Sequence, residues 1–195
     1  SGAAKDETHR EQFFLGAGHV LSQSDSDQSD PWVVHCDLRH GHASGDTGYF
    51  GRFGGLPLAQ NDEDDRALVF ETDVLEEDIT LYGACRFEVR VEASCERSQL
   101  CVRLNDVSPD GVSARVAFGM GNLALTESLD APSSGAQPGV RTVNIALPTQ
   151  AYRFRRGHRL RLALASSYWP LVWAPPTTAP IKVTGGTLTM PLANT

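Results

Sequence analysis

No apolar run in the sequence approaches the roughly 20 residues that a membrane-spanning helix needs, and the opening segment SGAAKDETHREQ lacks the apolar centre of a secretory signal. Membrane insertion is therefore not expected. Basic residues are in deficit: 17 Lys and Arg stand against 24 Asp and Glu, for a formal charge of −7 and an isoelectric point near 5.3. A field of that sign works against nucleic acid or an anionic membrane surface as a partner. The four cysteines show no C-x-x-C spacing of the kind that suggests zinc. No long segment keeps the apolar period of a helix.

What the chain has instead is period-2 alternation. Leu160, Leu162 and Leu164 alternate with Arg159, Arg161 and Ala163, and Arg86 to Cys95 alternates as regularly, the signature of a sheet with one buried face. Further strands are expected at 67–71, 79–82, 99–107, 113–118, 141–147 and 187–192. Turn chemistry separates them at Ser108-Pro109-Asp110-Gly111, Pro138-Gly139, Gly157 and Gly185-Gly186. Before them, Glu11 to Leu21 reads as strand, turn and strand, and Trp32 to Cys36 as a further strand. Residues 37–65 read as a long irregular loop, which in a compact domain usually covers something or contacts another domain. The expectation is an all-β chain, one domain over residues 1–195, folded as a two-sheet antiparallel jelly-roll sandwich. A chain of this length buries roughly 70% of its unfolded surface and needs no disulfide or metal to hold it.

The same alternation bears on the cysteines. If Phe87, Val89, Val91, Ala93 and Cys95 face inward on one strand, and Leu100, Val102 and Leu104 on the next, Cys101 points outward. A Cys95–Cys101 bridge would have to join opposite faces. Four free thiols, and with them a cytoplasmic location, are expected.

Three stretches resemble a known family in wording and order: RALVFETDVLEEDITLYG, then LNDVSPDGVSARVAFG, then AYRFRRGHRLRLALASSYWP. They are similar to the C-terminal β-sandwich, a galactose-binding-like jelly roll, of the X-Pro dipeptidyl-peptidase and cocaine-esterase group of serine hydrolases. The resemblance runs from about Asp65 to the end, with an echo in Glu11 to Leu21. It implies a non-catalytic accessory domain whose partners are the α/β-hydrolase and helical cap domains of a larger chain, with homo-oligomerisation as a further arrangement. The chain departs from the family at WVVHCDLRHGHASGD, where a Pro-rich stretch is usual.

The residues agree that catalysis lies elsewhere. A serine hydrolase of this class needs its nucleophile on a G-x-S-x-G elbow. Gly111-Val112-Ser113-Ala114-Arg115 fails at the last position and leads from a turn into a strand. No catalytic residue and no cofactor are expected. Weak metal candidates are His40 and His42, which a strand would place on one face, and Asp62 and Asp64 in the acidic run 61–65. The preferred reading is a loop that is solvated or packs on a neighbouring domain for the histidines, and a solvated run for the acids. Glu88 and Glu92 are expected to pair with arginines such as Arg103 or Arg159 across strands. Tyr168, Trp169 and Trp173, in SYWPLVWAPP, are the candidate contact residues. They suit an interface with a neighbouring domain, or in the alternative reading a carbohydrate platform on a free-standing sugar- or calcium-binding module.

Overall fold

A computed structural model describes residues 8–25, 30–45, 55–93, 98–123 and 140–194. Strands β1 (Thr8–Gly16) and β2 (Val20–Ser22) flank a single 3₁₀ turn, and β3 (Trp32–Val34) follows. One helical turn, α1 (Asn61–Asp64), precedes β4 (Leu68–Glu71), β5 (Ile79–Gly83), β6 (Arg86–Ala93), β7 (Gln99–Val107) and β8 (Ser113–Asn122). The remaining strands are β9 (Val140–Ala146), β10 (Gln150–Phe154), β11 (Arg159–Ala165) and β12 (Ile181–Ala193). Among the described residues no helix is long and apolar enough to cross a membrane.

The strands run in the order β10-β5-β12-β1-β2-β4-β11-β7-β8, with β3 and β6 also on β12 and β9 on β6. Pairing is antiparallel apart from one parallel β2–β4 contact, Val20 with Glu71. The sheet folds over so that two layers share one core. Phe87, Val89, Val91, Leu188 and Met190 from β6 and β12 meet Leu100, Val102 and Leu104 of β7 and Leu160, Leu162 and Leu164 of β11. This is the expected sandwich, with its layers continuous through β1, β2 and β4 and nearly closed into a barrel.

Alternation reads directly in β6, where inward residues are buried and Arg86, Glu88 and Arg90 are exposed. In β7 it fails, because every residue from Leu100 to Val107 is buried. Cys101 does point away from the core formed by Leu100, Val102 and Leu104, but it enters a second apolar cluster with Tyr168 and Val172. Both faces of β7 are covered.

Two expectations need correction. Gly185-Gly186 is not a turn: β12 runs through it, with a bulge where the register against β6 shifts between Val183 and Gly185. A Cβ on Gly185 would lie 2.2 Å from Arg90 Nη2, so the close approach explains the glycine. The segment Gln150–Phe154, not expected as a strand, is the outermost strand β10, paired with β5. The expected Pro138-Gly139 turn and Cys95 lie outside the described residues.

Candidate functional site

The cover on β7 is the segment around residues 37–45 and 55–65, a strap across the outer face of β7, β8 and β11. The acidic run that looked solvated forms α1, and its Glu63 and Asp64 are buried. Each is fully engaged. Glu63 Oε2 accepts from the Gly41 N–H at 2.6 Å and Oε1 from the Ala43 N–H at 2.9 Å. Asp64 Oδ1 faces Arg103 Nη2 at 3.0 Å and accepts from Asn105 Nδ2 at 3.0 Å. Asp64 Oδ2 accepts from Arg161 Nη1 at 2.8 Å and Ser113 Oγ at 2.6 Å. Arg161 also clasps Glu71 on β4. Burying charges like these stabilises nothing unless each is paired and hydrogen-bonded. Here the strap's Asp64 meets arginines of β7 and β11, while Glu63 is held by N–H groups of the strap itself.

Arg103, with no exposed surface, is the hub. Its Nη1 donates to Gln60 Oε1 at 3.0 Å and its Nη2 to His40 Nε2 and the Glu63 carbonyl, each at 3.1 Å. Gln60 completes its set by donating to the carbonyls of Ala43 and Leu58, each at 2.7 Å, and accepting from the Tyr168 hydroxyl. Arg103 thus pairs with Asp64; Glu92, for which an arginine partner was expected, pairs instead with Lys182 at 3.3 Å. Ser113, the serine of the failed pentapeptide, is a buried donor to Asp64.

His40 lies in a turn, not on a strand: it is buried while His42 is exposed. Its Nδ1–H donates to the Ser167 carbonyl, and Nε2 accepts from Arg103. Burial and the Arg103 charge push its pKa below the ordinary 6.5, against a weaker pull from Glu63, so the ring is neutral. His40 and Asp64 have their lone pairs turned to arginines, and Asp62 is exposed. Among the described residues no three His, Cys, Asp or Glu side chains converge as a metal ion would require. Cys36, Cys85 and Cys101 are unpaired, and burial pushes the Cys85 and Cys101 thiols up to about 12.

The three aromatic candidates divide. Tyr168 is wholly buried beneath the strap, flanked by the guanidinium carbons of Arg103 at 5.1 Å and Arg115 at 5.5 Å from its ring centre. Arg115 Nη1 also donates to its hydroxyl at 3.0 Å and to the Ser44 carbonyl at 2.8 Å. Trp169 and Trp173 stand outside, 51% and 73% exposed, edge to face with centres 5.2 Å apart and planes at 78°. At that angle they do not form one flat platform. The strap backbone ties them to further apolar side chains: the Trp169 N–H donates to the His40 carbonyl at 3.1 Å, and the Leu58 N–H to the Ala43 carbonyl at 3.1 Å. Leu56 and Leu58 are 86% and 70% exposed. Four large apolar side chains, Trp169, Trp173, Leu56 and Leu58, are thus exposed on segments hydrogen-bonded to the buried polar network.

The sequence matches a known kind of domain. Residues 2–194 match the profile of the X-Pro dipeptidyl-peptidase C-terminal non-catalytic domain. The chain belongs to that family. Among solved structures, an aminopeptidase from a marine sediment Thaumarchaeota archaeon superimposes with a TM-score of 0.82 at 18% identity, covering 95% of this chain and 37% of that one. An α-amino acid ester hydrolase gives 0.76 at 21% identity, covering 93% and 36%. A CocE/NonD family hydrolase from Staphylococcus aureus gives 0.68 at 15% identity, covering 96% and 37%. The chain spans little more than a third of each. No curated protein sequence matches it. The family's description as non-catalytic agrees with the expectation that catalysis lies elsewhere.

The residues that sequence reading missed in this X-Pro dipeptidyl-peptidase C-terminal domain are Gln60, Glu63, Asn105 and Arg115. Their signal was composition out of place. Arg103 and Asn105 sit on the outward face of a strand, and an acidic run sits in a loop long enough to reach them.

Proposed function

We propose that this chain is the accessory domain of a larger α/β serine hydrolase of the X-Pro dipeptidyl-peptidase or acyl-esterase type, docked on its catalytic and cap domains. The observation that carries this reading is the apolar rim of Trp169, Trp173, Leu56 and Leu58, exposed in the isolated chain and held by the buried Arg103–Asp64 network. In this reading Tyr168 anchors the surface from beneath, while Trp169 and Trp173 enter the contact. The domain buries apolar surface of its neighbours and thereby holds them in register. Unpaired Cys36, Cys85 and Cys101 support a reducing, cytoplasmic setting.

The test is the mass of the native polypeptide in its source cells, by immunoblot, with fluorophosphonate labelling of the band. A labelled band far heavier than 21.1 kDa is expected. An unlabelled band at the mass of this chain alone would overturn the reading and leave a free-standing module.

A further inference from the structure

On the opposite layer from the strap, strand β12 changes partners. Up to Thr189 it pairs with β6, ending at Arg86, and at Leu192 it pairs with β5 through Leu81. The turn from β5 to β6, Gly83 to Cys85, crosses the fork between them. Gly83 has φ 135°, and a Cβ there would lie 2.8 Å from Pro191 Cγ, so the turn closes directly on β12. Proline has no N–H to offer a ladder. The sheet's outer face is concave at this point, with a cavity of about 670 Å³ lined by Arg10, Gln12, Gly83 to Arg86, Ala146, Thr189 and Pro191.

Register fixes what converges there. Gln12, Thr189, Arg86 and Ala146 form one row across β1, β12, β6 and β9, and Arg10 stands opposite Pro191 two residues along. All five side chains share the face opposite the core residues Phe13, Leu188, Met190 and Phe87. Arg10 and Arg86 lie on strands that flank β12, on the order of 10 Å apart at the backbone. Neither has an ion-pair partner among the described residues, and no acidic side chain lines the cavity. Glu88, next on that face of β6, stands opposite Thr187 and Asn144, outside the lining. In a chain of net charge −7, this is a walled depression with two cations, an amide and a hydroxyl, bordered by apolar Pro191, Ala84 and Ala146.

We infer that this cavity binds a small molecule carrying a carboxylate or phosphate group, with Arg10 and Arg86 on its oxyanion and Gln12 and Thr189 completing its hydrogen bonds. Guanidinium groups match planar carboxylate and phosphate oxygens in paired hydrogen bonds. A volume of this size admits a ligand of metabolite dimensions. The apolar wall accepts the uncharged part of such a molecule.

The test titrates the chain with inorganic phosphate and, separately, with succinate, read by amide chemical-shift changes in a ¹H–¹⁵N spectrum. Saturable shifts at Gly83 to Arg86 and Thr189 are expected. Arg10→Ala and Arg86→Ala should each raise the apparent Kd at least tenfold while the spectrum elsewhere stays folded. Whichever anion saturates at the lower concentration identifies the chemistry. Linear, unsaturated shifts with both anions, or saturation unchanged in both variants, would overturn the assignment.

Discussion

Arg103 and Asp64, both shut off from solvent, face one another at 3.0 Å across the junction between strap and sheet. Neither charge could be buried alone, so the strap and β7 order one another.

Removing one member should therefore cost far more than removing a surface charge. Asp64→Ala leaves Arg103 and half of Arg161 unmatched, and a loss of about 3–5 kcal/mol is expected. Asp62→Ala, two residues away and exposed, should change stability by less than about 0.5 kcal/mol. Urea unfolding of both variants measures the contrast, and equal midpoints would sink it.

His40 makes the strap acid-sensitive. Its folded pKa lies below the ordinary 6.5, so as pH falls through 6.5 the unfolded chain takes a proton that the folded chain refuses. Stability should then fall by up to about 1.4 kcal/mol per pH unit. Asp37, held near 2 by hydrogen bonds from Arg39, contributes only at lower pH, where its loss runs from the ordinary 3.8 downward. Thermal melting between pH 7.5 and 5.5 should show a flatter slope in His40→Gln than in the parent chain, whatever the absolute melting temperatures.

Gly41 combines φ 123° with a Cβ position 1.9 Å from the Trp169 carbonyl oxygen. Gly41→Ala should displace the strap and lower stability by more than about 3 kcal/mol, since backbone meets backbone. Gly111, at φ 86° with open space around it, should lose only about 1 kcal/mol as Ala. Differential scanning calorimetry of the two variants separates collision from conformational strain.

Trp169→Ser and Trp173→Ser should leave the isolated chain within about 1 kcal/mol of the parent, because both rings are already largely in water. On a hydrolase domain produced separately, the same changes should each weaken docking at least tenfold, as central interface tryptophans do. Titration followed by tryptophan fluorescence reads both. Unaltered docking would remove the aromatic rim from the contact.

Where burial is one-sided, the strands stood open in the sequence: Phe87, Val89 and Val91 announced β6, because a half-buried strand must alternate. Leu160, Leu162 and Leu164 announced β11 against Arg159 and Arg161, although Ala163 and Ala165 on its outer face are buried too. Tyr168, Trp169 and Trp173 were singled out together, and nothing local says that the first is buried and its neighbour exposed. That division depends on the strap, which arrives from about 100 residues earlier, as the 108-residue separation of the Tyr168–Gln60 bond shows. Separation along the chain also hid the partners of Asp64, which lie on β7, β8 and β11. Consecutive acids look solvated until the groups they meet are known: arginines for Asp64, and the Gly41 and Ala43 N–H groups of the strap itself for Glu63. Gly185-Gly186 misled for a different reason: a glycine pair marks a turn or a close approach equally well.

β12 bonds to β1, β3, β5 and β6, and its pairing with β1 joins Thr8 to Ala193. Most of one layer is therefore held by hydrogen bonds between residues far apart along the chain. Such a topology has high contact order: loop closure must be met before the ladder rewards it, which places folding toward the millisecond-to-second end of the range. Until β12 docks, β1, β3, β5 and β6 carry unpaired edges, and the partly folded chain is a template for its own aggregation.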